Sequence, residues 1–120
     1  RFYADRRNPL VAFAGQMTGV EGYVESAASG FLAAVAMAAK VQGKEPVQFP
    51  QETAIGALGL YISGGSVGDF QPMNINFGII TPLGYRVKGK RNKNAEISAR
   101  ALTIIDELME KEVFCCENNR

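Results

Sequence analysis

Histidine is missing from this sequence altogether. Its absence removes the commonest general base and the commonest zinc ligand. Cysteine is scarce, with only Cys115 and Cys116, side by side near the end. Adjacent cysteines rarely bridge, because the geometry of such a disulfide is strained. Two thiols without another soft ligand do not make a structural zinc site, so no metal is expected. A reduced, cytoplasmic protein is the simplest reading. No apolar run approaches the roughly 18 to 20 residues of a membrane span. The Ala-rich stretch 31–39 is too short for one, so no membrane partner is expected. The start, with Arg1, Arg6 and Arg7 among polar residues, lacks a signal-peptide pattern. Charge of one sign is not in excess either. The net charge is +1, so the overall balance points to no partner.

What is present is an ordinary globular composition. Hydrophobic residues make up 47% and charged residues 21% of 120 positions, enough for one small domain. The run Leu-Val-Ala-Phe-Ala at 10–14 is short and stopped by Gly15, which predicts a buried strand. Thr18 and Glu21 have the spacing of a capping box, so a helix is expected from about Gly19 to Lys40. Ala27, Ala28, Ala33, Ala34 and Ala38 suit close packing on that helix, and Gly43 marks its end. Thr53 caps a shorter helix to about Ser63, with Ala54, Ile55, Leu58 and Ile62 on one face. Residues 70–82 read as an ordered, largely buried loop. A last helix is expected over about 94–113, with Ile97, Ala101, Ile104, Ile105 and Leu108 as its apolar stripe. Glu107 and Lys111 are spaced for an ion pair there. One strand without sheet partners implies that the partners lie upstream or in another chain.

Two features carry chemistry. Gly15, Gly19 and Gly22 surround a helix start, where glycine lets the backbone take positive φ and a ligand approach closely. The first turn of a helix also offers unpaired amides to an anion. The spacing is not the G-x-G-x-x-G fingerprint, and no acid follows at about twenty residues. A turn serving only helix–sheet packing accounts for the same glycines. The second feature is basic: Arg86, Lys88, Lys90, Arg91 and Lys93 place five cations within eight residues. Such a patch suits RNA phosphates. Only Tyr85 lies near it, so base stacking is not signalled. Glu21 and Glu25 share a helix face, yet nothing assigns either to acid–base work.

Three strings go further than pattern. Gly15, Gln16, Met17, Thr18, Gly19, Val20, Glu21, Gly22 and Tyr23, continuing to Gly30, resemble the segment that ends the flavin-binding domain of the TrmFO methyltransferases. Thr53-Ala54-Ile55-Gly56-Ala57-Leu58 resembles the next motif of that family. Phe70-Gln71-Pro72-Met73-Asn74-Ile75-Asn76-Phe77-Gly78 resembles a third, and the three stand in the family's order. The resemblance covers about residues 10–108 and corresponds to the last part of a family member.

The resemblance implies an α/β fold class. This chain would supply one strand and the mainly helical C-terminal part, 1–120, of a Rossmann-type FAD-binding domain. It implies an enzyme that takes a methylene group from 5,10-methylenetetrahydrofolate, through FAD and with NAD(P)H as reductant, to C5 of a uridine. The usual product is ribothymidine in the T loop of tRNA. Residues 15–22 would lie against the FAD, with the backbone amides of Gly19, Val20 and Glu21 as the expected contacts. Phe70 to Gly78 would help to shape the flavin and folate pocket. No catalytic residue is expected in this chain, because the family's catalytic cysteine lies upstream. Cys115 and Cys116 are not substitutes, having little local positive charge to lower their pKa.

The partners implied are tRNA and the missing N-terminal part of the same protein. Self-association and inactivity are expected of the piece alone. Three alternatives stand beside this reading. One is a GidA (MnmG)-like flavoprotein modifying wobble uridine in tRNA, and another a sibling 23S rRNA uracil-5-methyltransferase. The third is a non-catalytic RNA-binding fragment.

Overall fold

The computed structural model describes residues 3–65 and 70–111. Three helices dominate it: α1 (Tyr23–Val41), α2 (Ala54–Leu60) and α3 (Lys90–Glu110). The described part is mainly helical, and no strand forms within it. Only two isolated bridges are present, Ala4 with Ala12 and Val20 with Met73.

The buried strand expected at 10–14 is therefore not formed. That segment folds back on residues 3–5. Asp5 N–H donates to Val11 O at 2.8 Å and Phe13 N–H to Tyr3 O at 2.9 Å. The Asp5 carboxylate organises the turn, accepting from Arg7 N–H and Asn8 N–H. Leu10 remains 72% exposed. The physical reason is the one the lone strand raised: an extended segment with no sheet beside it satisfies its amides locally.

Helix α1 starts at Tyr23, four residues later than the capping-box reading placed it. Thr18 does not cap it; its hydroxyl donates to Gly15 O at 2.7 Å. Residues Gly15–Thr18 form a short 3-10 turn instead, and Gly22 is the N-cap, with φ +99°. The C-terminus closes as a Schellman motif: Gly43 N–H donates to Lys40 O and Lys44 N–H to Ala39 O, with Gly43 left-handed at φ +69°. The helix buries Ser29, Leu32, Ala33 and Ala36. At 19 residues it is long and apolar enough to cross a membrane by length and composition alone. The Ala-rich stretch 31–39 is only the middle of this span, which the helix extends at both ends.

Thr53 is the N-cap of α2, its Oγ1 accepting from Gly56 N–H at 3.1 Å and donating to Pro50 O at 2.7 Å. The buried face is Gly56, Ala57 and Leu58. Ala54 is exposed, so the expected 54–55–58–62 face is rotated. The rotation follows from Gly56, whose missing Cβ lets the carbonyls of Phe49 and Pro50 lie against the helix. Past Leu60 the helix widens into a π-helical turn, Tyr61–Gly65, and breaks at left-handed Gly64.

Helix α3 begins at Lys90, behind Gly89 at φ +89°, four residues earlier than expected. Of its predicted stripe only Ile97 is buried, with Ala101, Ile104, Ile105 and Leu108 half-buried. Ile97 joins Ala57 and Ile80 in a small core, flanked by Ile79 and Leu83. The Arg100 guanidinium holds this junction by donating to the carbonyls of Thr81 and Pro82. The two cysteines and the expected last turn of the helix lie outside the described residues.

Candidate functional site

The first and third motifs, about fifty residues apart in sequence, meet in space. Val20 pairs with Met73 in a parallel bridge. Glu21 N–H donates to Met73 O at 3.1 Å, and Met73 N–H to Gly19 O at 3.3 Å. Val20 is completely buried beneath this join. The glycine turn thus acquires an extended neighbour from the third motif, as residues 10–14 do from residues 3–5.

Each glycine of the turn has its own cause. Gly15, Gly19 and Gly22 all have positive φ. Gly19 is also roofed by an aromatic ring, since a Cβ there would lie 2.2 Å from Phe70 Cζ. Phe70 is 44% exposed and stacks obliquely on Tyr61, ring centres 5.6 Å apart. Tyr61 in turn donates its hydroxyl to Gln71 O at 2.7 Å. Behind the turn, Gly15 N–H donates to Ser29 Oγ at 2.7 Å, and Ser29 donates to Ser26 O. Ser29 is 99% covered, so the turn is fastened to α1 by a buried hydroxyl.

These bonds bear on the predicted contacts. Gly19 N–H is taken by Gln16 O and Glu21 N–H by Met73 O. Gln16 and Met17 face solvent, Met17 at 74% exposure. Met17 and Thr18 also line a cavity of about 350 Å³ with Tyr3, Arg6, Phe13 and Ile62. A second cavity of about 420 Å³ lies away from the turn, between Leu32, the 47–51 loop and α2. Tyr3 lines both cavities; its hydroxyl is buried without a hydrogen-bond partner, and burial pushes its pKa up to about 12.

Glu25 is the residue that sequence reasoning passed over. It sits in the first turn of α1 and accepts from Ile75 N–H at 3.3 Å and from Asn74 Nδ2 at 3.4 Å. Asn74 Nδ2 also donates to Glu21 O at 3.1 Å. Backbone hydrogen bonding, first its own amide, holds the Glu25 carboxyl below its ordinary range; the Asn74 side chain adds to this. A signal was present: Glu25, Ser26 and Ser29 are polar residues within a turn of one another on an otherwise Ala-rich helix.

The basic stretch straddles the start of α3. Lys90, Arg91 and Lys93 fall in its first turn, and Arg86 and Lys88 precede it. All five are exposed, and none pairs with a carboxylate among the described residues. The first turn has no acid and no side-chain cap. Cations at a helix N-terminus oppose the helix dipole, so local helix energetics do not account for them. Tyr85 is tied down, its hydroxyl donating to Glu96 at 2.5 Å. No group of three or more His, Cys, Asp or Glu side chains suited to a metal occurs among the described residues.

The glycine turn and the small-residue helix behind it lie within the stretch that is similar to the GidA-related proteins. The family model for glucose inhibited division protein A matches residues 4–45, the fold-back, the turn and all of α1. Over nearly its whole length the chain is similar to proteins named TrmFO. It is 49% identical over 109 residues to the methylenetetrahydrofolate--tRNA-(uracil-5-)-methyltransferase TrmFO of Acetivibrio thermocellus, covering 91% of this chain and 25% of that protein. The like-named protein of Desulfitobacterium hafniense is 48% identical over 92% of this chain and 25% of its own length. That of Streptococcus suis is 51% identical over 89% of this chain and 24% of its own length. The chain thus spans about a quarter of the length of the curated relatives it matches.

Proposed function

We propose that this chain is the C-terminal part of a Rossmann-type FAD-binding domain in an enzyme that methylates uridine C5 in the T loop of tRNA. The observation that carries the reading is the joining of the first and third motifs into one surface, in a chain about half identical to TrmFO proteins. When bound, FAD supplies the transfer of a one-carbon unit from 5,10-methylenetetrahydrofolate, with NAD(P)H as reductant.

The residues present suit the flavin ring better than its phosphates. Glu25 already stands at the positive end of α1, and a second anion there would meet a like charge. The turn itself carries no charge at Gly15, Gln16 and Met17, with the exposed ring of Phe70 beyond Gly19. Gln16 offers both a donor and an acceptor to a ring edge. The amides of Gly19 and Glu21 shape the turn, and Val20 and Gly22 anchor it, so their contribution to the flavin is positional. Arg86, Lys88, Lys90, Arg91 and Lys93 form the surface proposed for RNA. No catalytic group is assigned to this chain, whose part is to close the flavin site in a cytoplasmic enzyme completed by the N-terminal remainder.

The test uses the full-length protein that carries this segment. It is expected to purify yellow and to move label from 5,10-methylenetetrahydrofolate to tRNA. Gln16→Ala is expected to weaken flavin retention several-fold. Label transferred to 23S rRNA and not to tRNA would select the sibling methyltransferase. Modification at the wobble uridine without methylation at C5 would select the GidA-like activity. RNA binding by a colourless, inactive protein would select a non-catalytic role.

A further inference from the structure

Glu25 holds three features of the site together, and none of the sequence motifs predicts it. Its Oε1 accepts from the backbone of Ile75 and the side chain of Asn74. The same Asn74 amide donates back to Glu21 O, in the glycine turn. Gly22 leaves the room this requires. A Cβ on Gly22 would lie 2.2 Å from Glu25 Oε2 and 2.7 Å from Asn74 Nδ2, on a backbone at φ +99°. Gly22, Glu25 and Asn74 therefore interlock, and only glycine fits the first position.

The interlock lies directly beside the Val20–Met73 bridge. The bridge has a single pair of backbone bonds, one of them long at 3.3 Å. A single bridge without a ladder does not fix the direction of the chain on either side of it. Glu25 and Asn74 fix it on the C-terminal side. With Met73–Ile75 held there, Phe70 three residues earlier is seated over Gly19. The consequence falls on the exposed face that joins Met17, Gly19 and Phe70.

We propose that Glu25 is a positioning residue, which sets the spacing between the glycine turn and the Phe70–Gly78 segment and so the shape of the face presented to the flavin ring. The proposal rests on the flavin reading above. Glu25 itself touches no cofactor or substrate; it acts through Asn74 and Ile75. Its carboxylate form is the one the amides favour, because each bond is made to a charged acceptor.

The experiment uses the full-length protein and measures FAD affinity, the flavin absorbance band, and KM for 5,10-methylenetetrahydrofolate against kcat. Glu25→Ala is expected to raise the FAD dissociation constant roughly tenfold, the scale of losing a charge-assisted hydrogen bond. The flavin band is expected to shift with it. Asn74→Asp sets two carboxylates together and is expected to do the same. Glu25→Gln keeps an acceptor for Ile75 N–H and Asn74 Nδ2, and is expected to hold affinity within about threefold of the parent. A Glu25→Ala protein with unchanged affinity, band and KM would overturn the proposal. So would a Glu25→Gln protein no better than Glu25→Ala. If the parent protein binds no FAD, the flavin reading fails. The latch is then judged by amide hydrogen exchange at residues 73–75: faster exchange in Glu25→Ala upholds it, and equal exchange overturns it.

Discussion

At the scale of single residues, glycines decide where backbones meet. Gly56 is the sharpest case. A Cβ there would lie 2.1 Å from Pro50 O and 2.4 Å from Phe49 O, both backbone atoms with little freedom to move. Gly19 differs, because the atom in its way is the tip of a side chain, the Phe70 ring, and its own φ of +92° is a constraint besides. Gly56→Ala is therefore expected to destabilise the fold by about 2 kcal/mol, the usual scale of overpacking. Urea unfolding followed by circular dichroism checks it, and an unchanged midpoint would mean that the 49–50 loop gives way. Thr53 was legible as a cap because capping is local, spanning three residues. Glu25 was not, because its partners lie about fifty residues away and no local pattern records them.

At the scale of elements, the sequence located three helices and misjudged where α1 and α3 begin. Helix α1 was expected from a capping box at Thr18 and Glu21, and a glycine turn took those residues first. Helix α3 was expected from Asn94, since five cations read as a loop, yet Lys90 and Arg91 are helical. Those cations have no carboxylate among the described residues to offset them. Lys88, Lys90 and Arg91 changed together to Glu, in the intact protein, are expected to weaken tRNA binding at least tenfold near 0.1 M salt. The dependence of log K on log salt is expected to flatten by about 2, following the loss of three phosphate contacts. Filter binding across a salt series measures both. Equal binding by parent and variant at low salt would remove α3 from the RNA surface.

At the scale of the whole molecule, the small core leaves one side of α1 uncovered. Val24, Ala27, Phe31, Ala34, Ala38 and Val41 recur at alternating spacings of three and four, and all are exposed. Val24 is 80% and Val41 84% exposed. The buried side of the same helix carries Ser29, Leu32, Ala33 and Ala36, so α1 has two apolar faces. A helix apolar on both sides is ordinarily covered on both. The 120-residue piece produced alone is accordingly expected to self-associate with rising concentration, and Val24→Glu with Val41→Glu to make it monomeric. Sedimentation velocity decides this, and a monomeric parent piece at high concentration would refute it.

By itself the sequence determined what is local or strung along the chain. That includes the three helices, the Thr53 cap, the chain reversal at Gly43, the three motifs and the basic run. Each is set by neighbours within a few residues, through backbone conformation, capping or periodicity. The tertiary structure alone decided the rest. It replaced the expected strand at 10–14 with a fold-back, because no sheet forms among the described residues to take up its amides. It turned α2 onto its Gly56 side, where the missing Cβ leaves room for the 49–50 carbonyls. It also brought Asn74 and Ile75 to Glu25. Hydrogen bonds between residues fifty positions apart exist only once the chain has folded, so no reading along the sequence finds them.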